Sequence, residues 1–60
     1  MKTDFYLDDP GLPGTKSRIC HDADGLWYIF RANGSEHVYD TKLEMMDAWN
    51  TMVARSKGGN

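Results

Sequence analysis

The sequence predicts an α+β domain: a three-stranded antiparallel β-meander packed by one C-terminal α-helix. Three observations predict it. Residues 26–39 read as two strands joined by an Asn33-Gly34 turn. Asp22-Ala23-Asp24-Gly25 supplies a second turn, whose register agrees with the first. From Met45 to Val53, apolar residues recur at helical spacing behind a Thr41-Lys42-Leu43-Glu44 capping box. Residues 1–60 are read as one small domain. It comprises an acidic arm and Pro/Gly loop (1–14), the meander (15–39), the helix (40–56) and a frayed tail (57–60).

Residues 3–7, Thr-Asp-Phe-Tyr-Leu, form either a short fourth edge strand or an apolar arm. Asp8-Asp9-Pro10-Gly11-Leu12-Pro13-Gly14 is a loop, because its prolines and glycines cannot continue a strand or helix. Its backbone polar groups and the Asp8-Asp9 pair are expected to face water. Residues 17–21 form the first full strand. A type I turn closed by a bulge at Gly25 then sets Ile19 opposite Ile29 and Cys20 opposite Tyr28. Asn33 and Gly34 suit the positive φ angles of a two-residue type I′ turn. That turn sets Ala32 opposite Ser35, Arg31 opposite Glu36, Phe30 opposite His37, Ile29 opposite Val38 and Tyr28 opposite Tyr39. One row across the sheet becomes Ile19-Ile29-Val38, and the next Cys20-Tyr28-Tyr39.

The helix starts at Thr41, with Asp40 as the alternative cap, and runs to Arg55 or Ser56 before Gly58-Gly59 ends it. Met45, Met46, Ala48, Trp49, Met52 and Val53 share one side, and Glu44, Asp47, Asn50, Thr51 and Arg55 the other. The sheet face with Ile19, Trp27, Ile29 and Val38 is expected against the helix, where its β-branched residues interdigitate with Trp49 and the methionines. The reverse assignment stays open. The other face carries Leu26, Tyr28, Phe30, Tyr39 and Cys20, rimmed by Arg18 and His37 and partly covered by Phe5, Tyr6 and Leu7.

Composition bounds the function. A chain of 60 residues buries roughly 60% of its unfolded surface, so the core is small. A single cysteine precludes an internal disulfide and a four-cysteine zinc site, and it fits a reducing, cytoplasmic setting. No apolar run is long enough for a membrane span or a signal peptide, so no membrane association is expected. The net charge of −2 disfavours binding that works by neutralising phosphates.

No metal, cofactor or catalytic residue is expected. Cys20 and His21 are adjacent and point to opposite strand faces, and the register above separates His21 from His37 in the same way. A Cys20 nucleophile would have only His37, one row away, as its base. Gly11 and Gly14 lie in a proline-broken loop and make no phosphate cradle. Asp22 and Asp24 are turn residues without the further ligands of a calcium loop. The candidate contact surface is aromatic: Tyr28, Phe30, His37 and Tyr39, with Arg18 and Arg31 beside them. Asp8 and Asp9, together with Asp4, would steer it toward a basic partner.

Trp27-Tyr28-Ile29-Phe30-Arg31-Ala32-Asn33-Gly34, followed by Asp40-Thr41-Lys42-Leu43-Glu44-Met45-Met46-Asp47-Ala48-Trp49-Asn50, resembles the C-terminal half of the small phage restriction-alleviation (Lar-like) proteins. The resemblance covers residues 10–55 and is specific at Asp40-Thr41 and Ala48-Trp49-Asn50. Members of that family are zinc ribbons, with a cysteine knuckle on a strand pair before a Thr-x-x-Glu-Ala-x-x-Ala-Trp-Asn helix. Leu12-Pro13-Gly14 sits where the family has its first knuckle. The four metal cysteines are absent here and Cys20 is not at a knuckle position, so no zinc site carries over. The resemblance implies a phage-type protein of the host cytoplasm. Such a protein would bind and modulate or inhibit a host protein such as a defence, restriction or nucleic-acid-processing enzyme. The aromatic face, read from the residues, leaves two states open: a monomer, or an obligate homodimer in which that face pairs with itself.

The strand–strand–strand–helix order also resembles the DNA-binding arm domain of phage integrases, which reads DNA with a basic sheet face. This sheet is not basic. The corresponding alternative is a sheet-based nucleic-acid module whose aromatics stack on bases while Lys16, Arg18 and Arg31 contact phosphates.

Overall fold

The computed structural model describes residues 1–58. Residues 3–7 resolve as a strand because their pattern has the period of one. Along β1 (Thr3–Asp8), Phe5 and Leu7 are half-buried while Asp4, Tyr6 and Asp8 are exposed. β2 (Lys16–His21), β3 (Trp27–Phe30), β4 (Glu36–Tyr39) and α1 (Lys42–Gly58) follow. The strands form one antiparallel sheet in the order β1-β2-β3-β4, an α+β fold with four strands. β1 pairs with β2 through Phe5↔Ile19, Tyr6↔Arg18 and Leu7↔Ser17, with a bulge between Thr3 and Phe5.

The two later turns have the same construction. At the first, Gly25 N donates to Asp22 O (3.1 Å) and Asp22 N to Leu26 O (3.0 Å), with Gly25 at φ 89°. This is the type I turn with a glycine bulge, and it produces the expected Ile19↔Ile29 and Cys20↔Tyr28 pairs. At the second, Gly34 N donates to Arg31 O (3.0 Å) and Arg31 N to Ser35 O (2.8 Å), with Gly34 at φ 94°. Asn33 does not take a positive φ, which rules out type I′. Its Oδ1 instead accepts from Ser35 N at 2.9 Å.

The expected β3–β4 register is therefore wrong by one residue. Phe30 faces Glu36, Ile29 faces His37, Tyr28 faces Val38 and Trp27 faces Tyr39. The longer loop shifts the pairing, and a shift of one sends every β4 side chain to the opposite face. Tyr39 turns toward the helix, while Val38 turns away and is 56% exposed.

The expected helix-side face is correct for Ile19, Trp27 and Ile29. The core is Ile19, Ile29, Met45 and Trp49, flanked by Phe5, Leu7, Trp27, Tyr39, Met46, Met52 and Val53. Phe5 and Leu7 thus join the core rather than cover the opposite face, where only Tyr6 of the three lies. Thr41, not Asp40, caps the helix: Glu44 N donates to Thr41 Oγ1 (3.1 Å) and Met45 N to Thr41 O (3.1 Å). The helix continues beyond Ser56 to Gly58; Gly59 and Asn60, of the expected tail, lie outside the described residues. No helix among the described residues is long and apolar enough to cross a membrane.

Candidate functional site

One helix covers one side of the sheet, so the other side stays open. Two rows of side chains cross it: Tyr6-Arg18-Phe30-Glu36, and Cys20-Tyr28-Val38. Alternation along each strand puts these residues opposite the buried Ile19 and Ile29. Tyr28 and Phe30 lie two apart on β3, and their rings stack with centroids 5.9 Å apart and planes within 1°. The Arg18 guanidinium carbon sits 5.5 Å from the Phe30 centroid, within cation–π range. Tyr6 is 57% exposed beside it.

The supports of this surface are polar. Arg18 Nε donates to Thr3 Oγ1 at 2.9 Å, and Tyr28 Oη donates to Asp22 Oδ2 at 2.8 Å. That bond is the main reason the Asp22 carboxyl is held below its usual range and the Tyr28 phenol above its own. The amides of Leu26 and Asp24, both donating to Asp22 Oδ1 at 3.0 Å, act in the same direction on the carboxyl. Cys20 is fully buried beneath the face, its Sγ 3.9 Å from Thr3 Oγ1.

Of the residues singled out in the sequence, Arg18, Tyr28 and Phe30 come together here. The others do not. The shifted register places His37 opposite Ile29 and Tyr39 opposite Trp27, on the helix side. Arg31 does not face Glu36. It forms a two-pronged ion pair with Asp9, Nη2 to Oδ1 at 2.7 Å and Nε to Oδ2 at 3.1 Å. Asp9, expected in a solvated loop, is only 4% exposed. Gly11 N (2.8 Å) and Ser17 Oγ (3.0 Å) also donate to its carboxylate. Arg31 is the main cause that holds the Asp9 carboxyl far below the ordinary carboxylate range. Asp8 is exposed and pairs with Lys16 across the β1–β2 edge.

Sequence reasoning missed Tyr6, Glu36 and Val38 as members of the open face. The alternation of Phe5, Tyr6 and Leu7 was the available signal for Tyr6. For Glu36 and Val38 there was none apart from the true register.

A second cluster lies at the far end of the helix-side face. The His21 ring stacks on Trp27 with centroids 4.8 Å apart, and His21 Nδ1 is 2.7 Å from Asp4 Oδ2. Lys42 Nζ approaches the Trp27 ring at 5.5 Å and the Phe5 ring at 6.0 Å. His21 and His37 therefore share the helix side, contrary to the expectation that they part, and Cys20 has neither on its own side. Among the described residues no three His, Cys, Asp or Glu side chains gather as a metal site, and no pocket forms. A scan against family models found no match, and searches of curated proteins and of solved structures found none either.

Proposed function

We propose that this chain is a small, non-enzymatic interaction protein of phage type. On this reading it binds and modulates a host protein in the cytoplasm through the open face of its sheet. The supporting observation is the ordered strip of Tyr6, Tyr28, Phe30 and Val38, with Arg18 over the Phe30 ring, on the side the helix leaves bare. Contiguous apolar surface rimmed by polar groups marks interaction sites more often than chance exposure does. Stacking and the Asp22 bond already fix Tyr28 and Phe30, so little side-chain freedom is lost on contact. The contact surface is accordingly smaller than the sequence suggested: Arg31, Asp9, His37 and Tyr39 leave it, and Tyr6 and Val38 enter.

The test is affinity capture from nuclease-treated bacterial lysate, with a Tyr6→Ser/Val38→Ser variant alongside. Both positions are more than half exposed, so the variant should keep the wild-type circular dichroism. The expected result is one stoichiometric host protein, lost in the variant. Equal capture by both chains would remove the face from the reading.

One observation favours a second reading, a nucleic-acid module: an arginine over an aromatic ring in a stacked pair resembles a base-stacking platform. The net charge of −2 weighs against it. Capture of nucleic acid, and of no protein, when nuclease is omitted would favour this reading instead.

A further inference from the structure

The row that crosses the open face has an order of charges that complements its own reverse. Arg18 on β2, Phe30 on β3 and Glu36 on β4 are direct neighbours in register. Adjacent strands lie about 4.8 Å apart, so Arg18 and Glu36 leave the backbone at nearly equal distances on either side of Phe30. Both charged residues are exposed, and neither has an ionic partner among the described residues. The other charged pair on this side, Asp8 and Lys16, neutralises itself at the edge.

Consider a two-fold axis that runs parallel to β3 over Phe30, between two such faces. It reverses the row. Phe30 then lies on the second copy's Phe30, Arg18 meets the second copy's Glu36, and Glu36 meets the second copy's Arg18. Tyr28, two residues along β3, meets its own counterpart in the same way. Two aligned sheets packed face to face are a standard arrangement, about 10 Å apart. An isologous pair needs this kind of self-complementarity.

We infer that the open face is self-complementary and that, without its partner, two copies of this chain pair through it by reciprocal Arg18–Glu36 contacts around Phe30. The inference rests on the reading of this face as an interaction surface and adds its regulation. A partner must displace the second copy, so partner binding and self-pairing exclude each other. Only β2, β3 and β4 overlap fully in this arrangement. The contact is smaller than the roughly 800 Å² per partner of a standard stable interface, and the pair is weak and concentration-dependent.

The experiment is sedimentation equilibrium on the full chain from about 10 µM to about 1 mM, where a contact of this size is partly populated. The variants are Arg18→Glu and Glu36→Arg, each alone and then mixed in equal amounts. Wild type should shift from monomer to dimer across the series. Each charge reversal places like charges at both symmetric contacts and should weaken pairing at least roughly tenfold. The mixture should pair again, because each reversed charge then meets its opposite on the other chain.

Circular dichroism checks that both variants fold. If Arg18→Glu does not, Glu36→Arg mixed with Arg18→Gln keeps the test with the Thr3 side less disturbed: the mixture restores one of the two reciprocal contacts and should pair more tightly than Glu36→Arg alone. Wild type monomeric at every concentration overturns the inference. So does pairing that survives both reversals, or a mixture that stays monomeric. A monomeric wild type that shifts a single-stranded oligonucleotide would also overturn it and assign the face to nucleic acid. A monomeric wild type that still captures a host protein through Tyr6 and Val38 leaves the interaction reading standing and removes self-pairing alone.

Discussion

Asp9 and Asp22 do the same kind of work at opposite ends of the sheet, with different consequences. Each follows a strand, and each uses Oδ1 to accept a backbone amide two residues on, from Gly11 at 2.8 Å and from Asp24 at 3.0 Å. Each offers Oδ2 to a side chain of another element: Arg31 and Ser17 for Asp9, Tyr28 for Asp22. The difference is in reach and burial. The Asp22 bonds close within six residues, in a turn open to water. The Asp9–Arg31 pair spans 22 residues, with the carboxylate side chain fully buried and the guanidinium 16% exposed. A carboxylate in water can lose one partner and regain solvent. A buried one cannot, so the loop that holds Asp9 depends on the whole β1–β3 arrangement.

Removing Asp9 should therefore have the largest effect. Asp9→Ala leaves a largely buried guanidinium unpaired and should cost about 3 kcal/mol in urea denaturation, a large part of the stability of so small a domain. Asp22→Ala should cost less than half as much, because water can replace its local bonds. Equal losses would mean that burial does not separate the two. Asp9→Leu combined with Arg31→Met should recover part of the loss by removing both charges.

Acid sharpens the contrast. Both carboxyls titrate lower in the folded chain than their unfolded value of about 3.9. Their contribution is thus complete above about pH 5 and is lost as pH falls through the unfolded value toward the folded ones. The loss of stability below pH 4 should flatten more in Asp9→Ala than in Asp22→Ala, read from denaturation midpoints at stepped pH.

The smallest effects come from the two glycines beside these carboxylates, for different reasons. A Cβ on Gly11 would lie 3.0 Å from Arg31 Nη2 and 3.4 Å from Asp9 Oδ1, pressing on the ion pair. A Cβ on Gly25 meets open space, but the residue sits at φ 89°. Each alanine substitution should cost about 1 kcal/mol. Gly25→Asn should cost less than Gly25→Ala, because asparagine tolerates the left-handed region. Gly11→Ala should add little on an Asp9→Ala background, because the contact it disturbs is already gone. Additivity there would show that Gly11 acts independently of the pair.

What could be read in the sequence follows the same division between local and distant interactions. The β2–β3 register was legible because Asp22-Ala23-Asp24-Gly25 admits the observed turn and because Ile19 and Ile29 match across it. The helix was legible because its cap, Thr41 to Glu44, and its buried positions, Met45 and Trp49, lie within a few residues of one another. Asn33-Gly34 permits two turns that differ by one residue in register, and the local sequence does not choose between them. In the folded chain Tyr39 packs beside the core, which the two-residue turn would not allow, and Arg31 is engaged by Asp9 rather than by Glu36.

The candidate site inherits that limit. Arg18, Tyr28 and Phe30 belong to strands whose phase the sequence set, and they stand where it put them. His37, Tyr39 and Val38 belong to β4, where one residue of slip exchanges the two faces. By itself the sequence determined the elements, the helix face and the first hairpin, because contacts between near neighbours carry that information. Only the tertiary structure decided the phase of β4, the burial of Asp9 and the membership of the open face. Each of these depends on groups far apart in the chain, whose pairing becomes favourable only once the sheet has brought them together.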